Sequence, residues 1–161
     1  MISVQISDSF ASQHPSLADL IPLLEIAAQG TLEARPVLDE VDVSLVLSDD
    51  DQLQELNRQY LGVDAPTDVL AFPGGDTDPD SQALYLGDVI LSYPRAAAQA
   101  ASGGYPVEAE LQLLVVHGML HLLGFDHADE PGRKAMWAEQ ARILRQLGAP
   151  ITGPAPEAPD G

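Results

Sequence analysis

Three of the chain's four histidines fall in one stretch of eleven residues, His117-Gly118-Met119-Leu120-His121-Leu122-Leu123-Gly124-Phe125-Asp126-His127. On a helix, His117 and His121 share a face one turn apart. Gly124 is the residue type best able to enter the left-handed region and end that helix. The turn that follows can bring His127 back toward the same point. Three imidazoles converging from a helix and its terminal turn make a three-nitrogen metal site with one coordination position open, which is what separates a catalytic zinc from a structural one. A lone histidine on an apolar helix is normally a core residue satisfied by one hydrogen bond. Three at this spacing, with a glycine break before the third, are not explained that way. His117, His121 and His127 are therefore the expected ligands of one Zn2+ per chain, with Ni2+ and copper also suited to imidazole donors. The fourth histidine, His14, stands beside Pro15 and reads as solvated.

A three-histidine zinc site lowers the pKa of a bound water to roughly 7, which licenses hydrolysis of a carbonyl or phosphoryl substrate. The zinc-protease signature His-Glu-x-x-His places a general base directly after the first histidine. Here that position is Gly118, which can neither take a proton nor orient a water, so the usual route to peptide hydrolysis lacks its base. Glycine would instead leave space beside the metal for a bulkier group such as a phosphodiester. Asp126 is the nearest carboxylate in sequence and can serve as orienter or base. It can equally be a turn residue bonded to its own backbone. Ligation requires neutral rings, so metal affinity should fall as pH drops through the imidazole pKa, with loss starting around pH 6.

The elements that must position these residues are legible in outline. Ile2 to Ile6 alternates and reads as a strand. A helix follows from near Asp19, with Pro22 in its first turn and closure expected at Gly30. Val41 to Leu47 is a second strand with Val41, Val43, Leu45 and Leu47 on one face. Ser48 is the expected N-cap of the next helix, and Asp49, Asp50 and Asp51 fill its positive end as capping charges rather than as a metal cluster. That helix runs to about Tyr60 and stops at Gly62. Pro66-Thr67-Asp68 turns into the short strand Val69 to Phe72, ended by Pro73-Gly74-Gly75. Asp76 to Gln82 is an acidic surface loop, and Leu84 to Leu91 returns as a strand antiparallel to its predecessor. Ser92 and Pro94 open a short helix that Gly103-Gly104 terminates.

Pro106 begins the histidine-bearing helix, which is apolar almost all round from Leu111 to Leu123 and should be the central buried element. A last helix runs from near Asp129 to Leu147. Met136, Ile143 and Leu147 form its inner face, and Lys134, Arg142 and Arg145 a basic stripe best read as its solvated side. The Pro-rich Ala149 to Gly161 is expected to be a disordered tail. The fold class expected is α+β: a small mixed sheet of about four strands, about five helices, and one domain over residues 1–148.

At 161 residues, with 45% hydrophobic and 20% charged residues, the chain can bury one proper core. It has no cysteine, which excludes disulfides and thiolate ligands. Its N-terminus lacks the basic start and long apolar run of a signal peptide, and no stretch is long enough to span a bilayer. A cytoplasmic location is the default expectation, with no membrane partner. The formal net charge of -18 argues by itself against a nucleic-acid partner, because phosphate binding relies on Lys and Arg.

The motifs nevertheless carry a specific resemblance. His117-Gly-x-Leu-His121-Leu-x-Gly124-x-Asp126-His127 is similar to the signature of the YbeY family of bacterial endoribonucleases, which mature and quality-check ribosomal RNA. Two further blocks match: Glu55 to Gly62 with Pro66 to Pro73, and Leu86-Gly87-Asp88-Val89-Ile90-Leu91-Ser92. Together they cover most of the chain from about residue 40 to 147. The resemblance implies a metal on His117, His121 and His127, and a single-strand-specific, metal-dependent endoribonuclease acting near the 3′ end of 16S rRNA. It implies ribosomal RNA and the small ribosomal subunit as partners, with ribosomal proteins and an assembly GTPase as further candidates and no DNA. The family pattern usually reads Tyr-Arg-Gly where this chain has Tyr60-Leu61-Gly62. Arg58, three residues before Leu61, shares roughly its helix face and is the candidate to serve the RNA phosphates instead. The alternatives are a minimal zinc peptidase, disfavoured by Gly118, and a non-catalytic ribosome-assembly factor, for which Leu61 leaves room.

Overall fold

A computed structural model of the protein describes residues 1–8, 15–37, 40–75, 77, 79–80, 82–151 and 153. The strands are β1 (Ile2–Ile6), β2 (Val41–Ser48), β3 (Val69–Pro73) and β4 (Leu84–Ser92). The helices are α1 (Ile21–Ala34), α2 (Asp50–Leu56), α3 (Tyr93–Gly103), α4 (Val107–Leu122) and α5 (Glu130–Gln146). A 3-10 turn, Pro15–Leu20, leads into α1, and a π-helical turn, Asn57–Leu61, extends α2. The sheet order is β1-β2-β4-β3, parallel across β1, β2 and β4 and antiparallel between β4 and β3. The fold is therefore α+β with a four-stranded mixed sheet and five α-helices among the described residues, as expected. Among those residues, no helix is long and apolar enough to cross a membrane.

Alternation along the strands gives the sheet two different faces. Val43, Leu45 and Leu47 of β2 and Val89 and Leu91 of β4 point into the main core, with α1, α4 and α5 on that side. Leu70 and Ile90 point the other way and pack on Leu53 of α2, with Val46, Leu56 and Phe72 at its margin. The pairing of β2 with β4 slips by one residue between Asp42 and Val43, and Gly87 sits at the slip with φ +144°. A Cβ there would lie 2.3 Å from the Phe72 carbonyl oxygen and 2.8 Å from Leu122 at the end of α4. The missing side chain thus lets the C-terminal end of α4 pack closely on the sheet. α4 itself is buried along nearly its whole length, from Ala109 to Leu122.

Two local expectations are corrected. α1 does not close at Gly30 but runs through it to Ala34. A Cβ on Gly30 would meet Leu147 Cδ2 at 2.7 Å, so this glycine permits a close approach rather than a stop. Ser48 does not cap α2; it is the last residue of β2, and its hydroxyl lies 3.0 Å from that of Ser7. Asp49 is the cap, accepting from the Gln52 backbone N–H at 2.9 Å. Asp50 then accepts from the Ser92 hydroxyl at 2.7 Å and from Arg95 at 3.2 Å. Asp49 caps the helix, and Asp50 and Asp51 lie in its first turn, in line with the reading of these residues as capping charges. His14 and most of the Pro-rich tail lie outside the described residues, as do Asp76, Asp78 and Ser81 of the acidic loop.

Candidate metal centre

The turn after α4 does what the glycine suggested. Gly124 takes φ +103°, its N–H donates to the His121 carbonyl at 3.0 Å, and the Phe125 N–H donates to the Leu120 carbonyl at 3.0 Å. This paired bonding closes the helix end and reverses the chain. Phe125 is held from outside by Arg35, whose guanidinium carbon stands 5.0 Å over the ring. Asp126 is exposed, and its carboxylate accepts from the Ala128 N–H at 3.2 Å, an Asx-turn. Asp129 caps α5 through the Gly132 N–H at 2.7 Å. His127, between these two turn residues, is thereby returned to the helix.

His117, His121 and His127 each offer a ring nitrogen, and these atoms lie within 4.8 Å of one another. The ring centroids are 4.8, 5.5 and 5.0 Å apart for the pairs 117–121, 117–127 and 121–127. Three imidazoles bound tetrahedrally to zinc at about 2.0–2.1 Å place their nitrogens about 3.3–3.4 Å apart, so small rotations of the rings, closing the widest gap by up to about 1.5 Å, bring this donor set onto a divalent ion. Trp137 of α5 stands nearly perpendicular to His117 and His127, at 5.5 and 5.6 Å. Burial pushes the His117 imidazole down to about 4, and the neighbouring His121 and His127 rings add to the effect. Burial, with His127 beside it, also lowers His121, while Asp126 opposes that shift. Neutral rings are the form that binds metal, so metal retention should extend to lower pH than an unperturbed imidazole allows.

The same depression carries a stability prediction. His117 binds its proton at about 4 in the folded protein against 6.5 ordinarily, so the unfolded chain binds more protons in between. Metal-free protein should lose stability as pH falls from about 6.5 to about 4, by on the order of 3 kcal/mol from this group and no further below it. Urea melts of metal-free protein and of His117→Gln, at pH 7 and near pH 4.5, should show the larger loss in the unsubstituted protein.

The three histidines open on a cleft of about 250 Å³ whose other lining residues are Asn57, Leu61, Thr67, Val69, Leu70, Ala71 and Gly118. Leu61 thus occupies the wall that an arginine there would share. Arg58 does not line this cleft; its guanidinium is paired with Glu55, at 2.5 and 3.2 Å. Thr67 reaches the wall, whereas Asp68 is buried and receives Gln99 Nε2 at 3.4 Å. Gly118 lines the cleft with its backbone, but the space its missing side chain leaves is against the sheet. A Cβ there would lie 2.6 Å from Val89 Cγ1. The glycine therefore serves helix-on-sheet packing, and the glutamate of a His-Glu-x-x-His site has no room at this position.

Sequence reasoning missed Gln140 and Trp137 as neighbours of the histidines, and Asn57 as a wall residue. The signal for Gln140 was present: it is a polar residue at a core position of α5, four after Met136 and three before Ile143.

A four-stranded mixed sheet backed by a buried helix, with three imidazoles from that helix and its terminal turn clustered at a small cleft, defines an α+β protein with a site that could hold one metal ion in hydrolase fashion. The profile of the family described as Endoribonuclease YbeY matches residues 8–148. An Endoribonuclease YbeY of Roseiflexus sp. (strain RS-1) is 48% identical over 132 residues, 78% of this chain and 82% of the relative. One from Moorella thermoacetica is 42% identical over 144 residues, 85% of this chain and 92% of the relative. The solution structure of a Thermotoga maritima protein superposes with a TM-score of 0.58 at 26% identity, covering 99% of this chain and 100% of the other. The chain belongs to the YbeY endoribonuclease family.

Proposed function

We propose that the protein is a zinc-dependent endoribonuclease that cuts single-stranded RNA, and that it acts in the cytoplasm in 16S rRNA 3′-end maturation and ribosome quality control. The observation that carries this reading is the trio of ring nitrogens within 4.8 Å of one another, facing an open cleft. Family membership supports an RNA substrate; ribosomal RNA and the small ribosomal subunit are the partners this reading proposes. Bound there, a divalent ion supplies Lewis acidity toward the scissile phosphate and activation of a water.

The chain's own residues do the rest. His117, His121 and His127 would supply the nitrogen donors, and burial favours the neutral, metal-binding form of His117 and His121. Val69, Leu70 and Ala71 give the cleft an apolar strand wall. Asp126 acts on the site electrostatically, partly opposing the burial that lowers the His121 pKa. Arg58 is the nearest arginine in sequence to Leu61, and its exposed ion pair with Glu55 is of a kind readily exchanged for a phosphate.

Selectivity for unpaired RNA has a physical source at the rim. Tyr60, Leu61 and Val63 are exposed large apolar residues in one stretch, and Tyr60 meets Phe72 edge-on at 5.5 Å. Unpaired bases stack on such aromatic surfaces, whereas paired bases cannot reach them. Tyr60→Ala should weaken binding of a short single-stranded RNA about ten-fold, at the lower end of what one stacked base contributes. Fluorescence anisotropy with labelled oligonucleotide measures it. The function itself is tested by offering one RNA sequence single-stranded and as a duplex: cleavage of the first alone is expected, and equal cleavage of both would contradict the reading.

A second reading, a non-catalytic ribosome-assembly factor, is favoured by one observation, the uncharged Leu61 in the cleft wall. Zinc-loaded protein that binds the small subunit but cuts no RNA would select it.

A further inference from the structure

We propose that Gln140 is the positioning residue that fixes which nitrogen of His117 is available to a metal. This inference rests on the metal-centre reading of the three histidines and deepens it.

Gln140 lies on α5 and is 1% exposed, among the apolar residues Met136, Ile143 and Leu144. A primary amide in such surroundings costs stability unless it is hydrogen-bonded. Its Oε1 lies 3.0 Å from His117 Nδ1, across 23 residues of sequence. An amide oxygen can only accept, so the ring nitrogen facing it carries the hydrogen. A neutral imidazole has one N–H, which leaves the Nε2 electron pair free. The contact thus selects one of two tautomers, and it selects the one with an unprotonated nitrogen on the far side of the ring.

The reverse amide orientation would present an NH2 group to Nδ1. The ring proton would then sit on Nε2, and that nitrogen could not bind a metal. Only one of the two arrangements is compatible with a loaded site. Trp137, three residues before Gln140 on the same helix, stands across the His117 ring at 84° and limits its rotation. α5 therefore contributes no ligand but holds the first ligand's tautomer and plane. Outer partners of this kind typically change metal affinity about 10–100-fold when removed.

The tests use the full chain. In metal-free protein, long-range nitrogen–proton spectra of the His117 ring should show the hydrogen on Nδ1. Gln140→Met keeps volume but removes the acceptor; it should populate both tautomers and weaken zinc binding about 10–100-fold in competition with a chelating indicator. Gln140→Glu restores an acceptor and should return the affinity to within a few-fold of the original. A ring hydrogen on Nε2 in the unsubstituted protein would overturn the proposal, as would Gln140→Met binding zinc as tightly as the original. Should Gln140→Met fail to fold, the spectrum of the unsubstituted protein still decides. Failure of the unsubstituted protein to bind zinc would sink the metal centre itself, a different outcome from equal binding by both.

Discussion

His121→Ala is expected to abolish RNA cleavage, by at least about a thousand-fold, which corresponds to roughly 4 kcal/mol of barrier. His121 is the middle of the three rings, 4.8 Å from His117 and 5.0 Å from His127. Two remaining imidazoles would leave an ion both weakly held and wrongly coordinated. The choice of His121 over His117 matters for interpretation. His117 is bonded to the buried Gln140, so its removal would orphan an interior amide and confound activity with stability. His121 is only partly buried, and its ring bonds to the Phe125 backbone rather than to a buried side chain. Its alanine variant should keep the circular dichroism and melting temperature of the metal-free parent. A folded variant that still cuts single-stranded RNA at the original rate would remove the histidines from the chemistry.

Gly118→Ala is expected to lower both stability and activity, although it adds one methyl group. The new Cβ would stand 2.6 Å from Val89 Cγ1 and 3.2 Å from Cγ2. Val89 is fully buried at the centre of β4 and its branched side chain has little freedom to turn away. Overpacking of this sort costs about 1–3 kcal/mol, or about 3–10 °C of melting temperature for a domain of this size. Relief requires α4 to lift from the sheet, carrying His117 and His121 with it. A displacement approaching 1 Å can cost about 100-fold in rate. Gly118→Glu, which writes the protease signature into the helix, should be worse, with loss of the folded state rather than gain of peptidase activity. Thermal melts and RNA cleavage rates measure both variants. Unchanged stability in Gly118→Ala would mean that the helix does not pack on Val89 as described.

These two cases show what the sequence could and could not tell. The histidine spacing and Gly124 specified their own local geometry, because a helix face and a left-handed stop are properties of a few adjacent residues. Ser92 capping α3 and Gly62 ending the turn after α2 were legible for the same reason. Gly30 was misread because its neighbour is Leu147, more than a hundred residues away, and local reading cannot distinguish a stop from a close approach. Ser48 and Asp49 are both good caps, and the strand pairing of Ser48 with Ser92 decided between them. The space beside Gly118 was likewise assigned to the wrong side, since only the packed sheet reveals Val89. Gln140 lay hidden because the partner that explains a buried amide belongs to another helix.

The acidity that argued against RNA also takes a more definite form. Arg35, Arg58, Arg95, Arg133 and Arg142 each pair with a carboxylate of the protein itself. Arg142 and Arg35 share Glu139, whose side chain is only 10% exposed between them, whereas Lys134 and Arg145 of the basic stripe are exposed. The proposed RNA cleft therefore depends on a bound ion and on apolar stacking more than on a basic field, which ties the function closely to metal occupancy.

The most direct measurement is a titration of metal-free protein with zinc while cleavage of a single-stranded RNA is followed. Activity should be absent at the start, rise in proportion to added metal and level off at one equivalent per chain. Full cleavage before any zinc is added, or none once the site is saturated, would contradict the account.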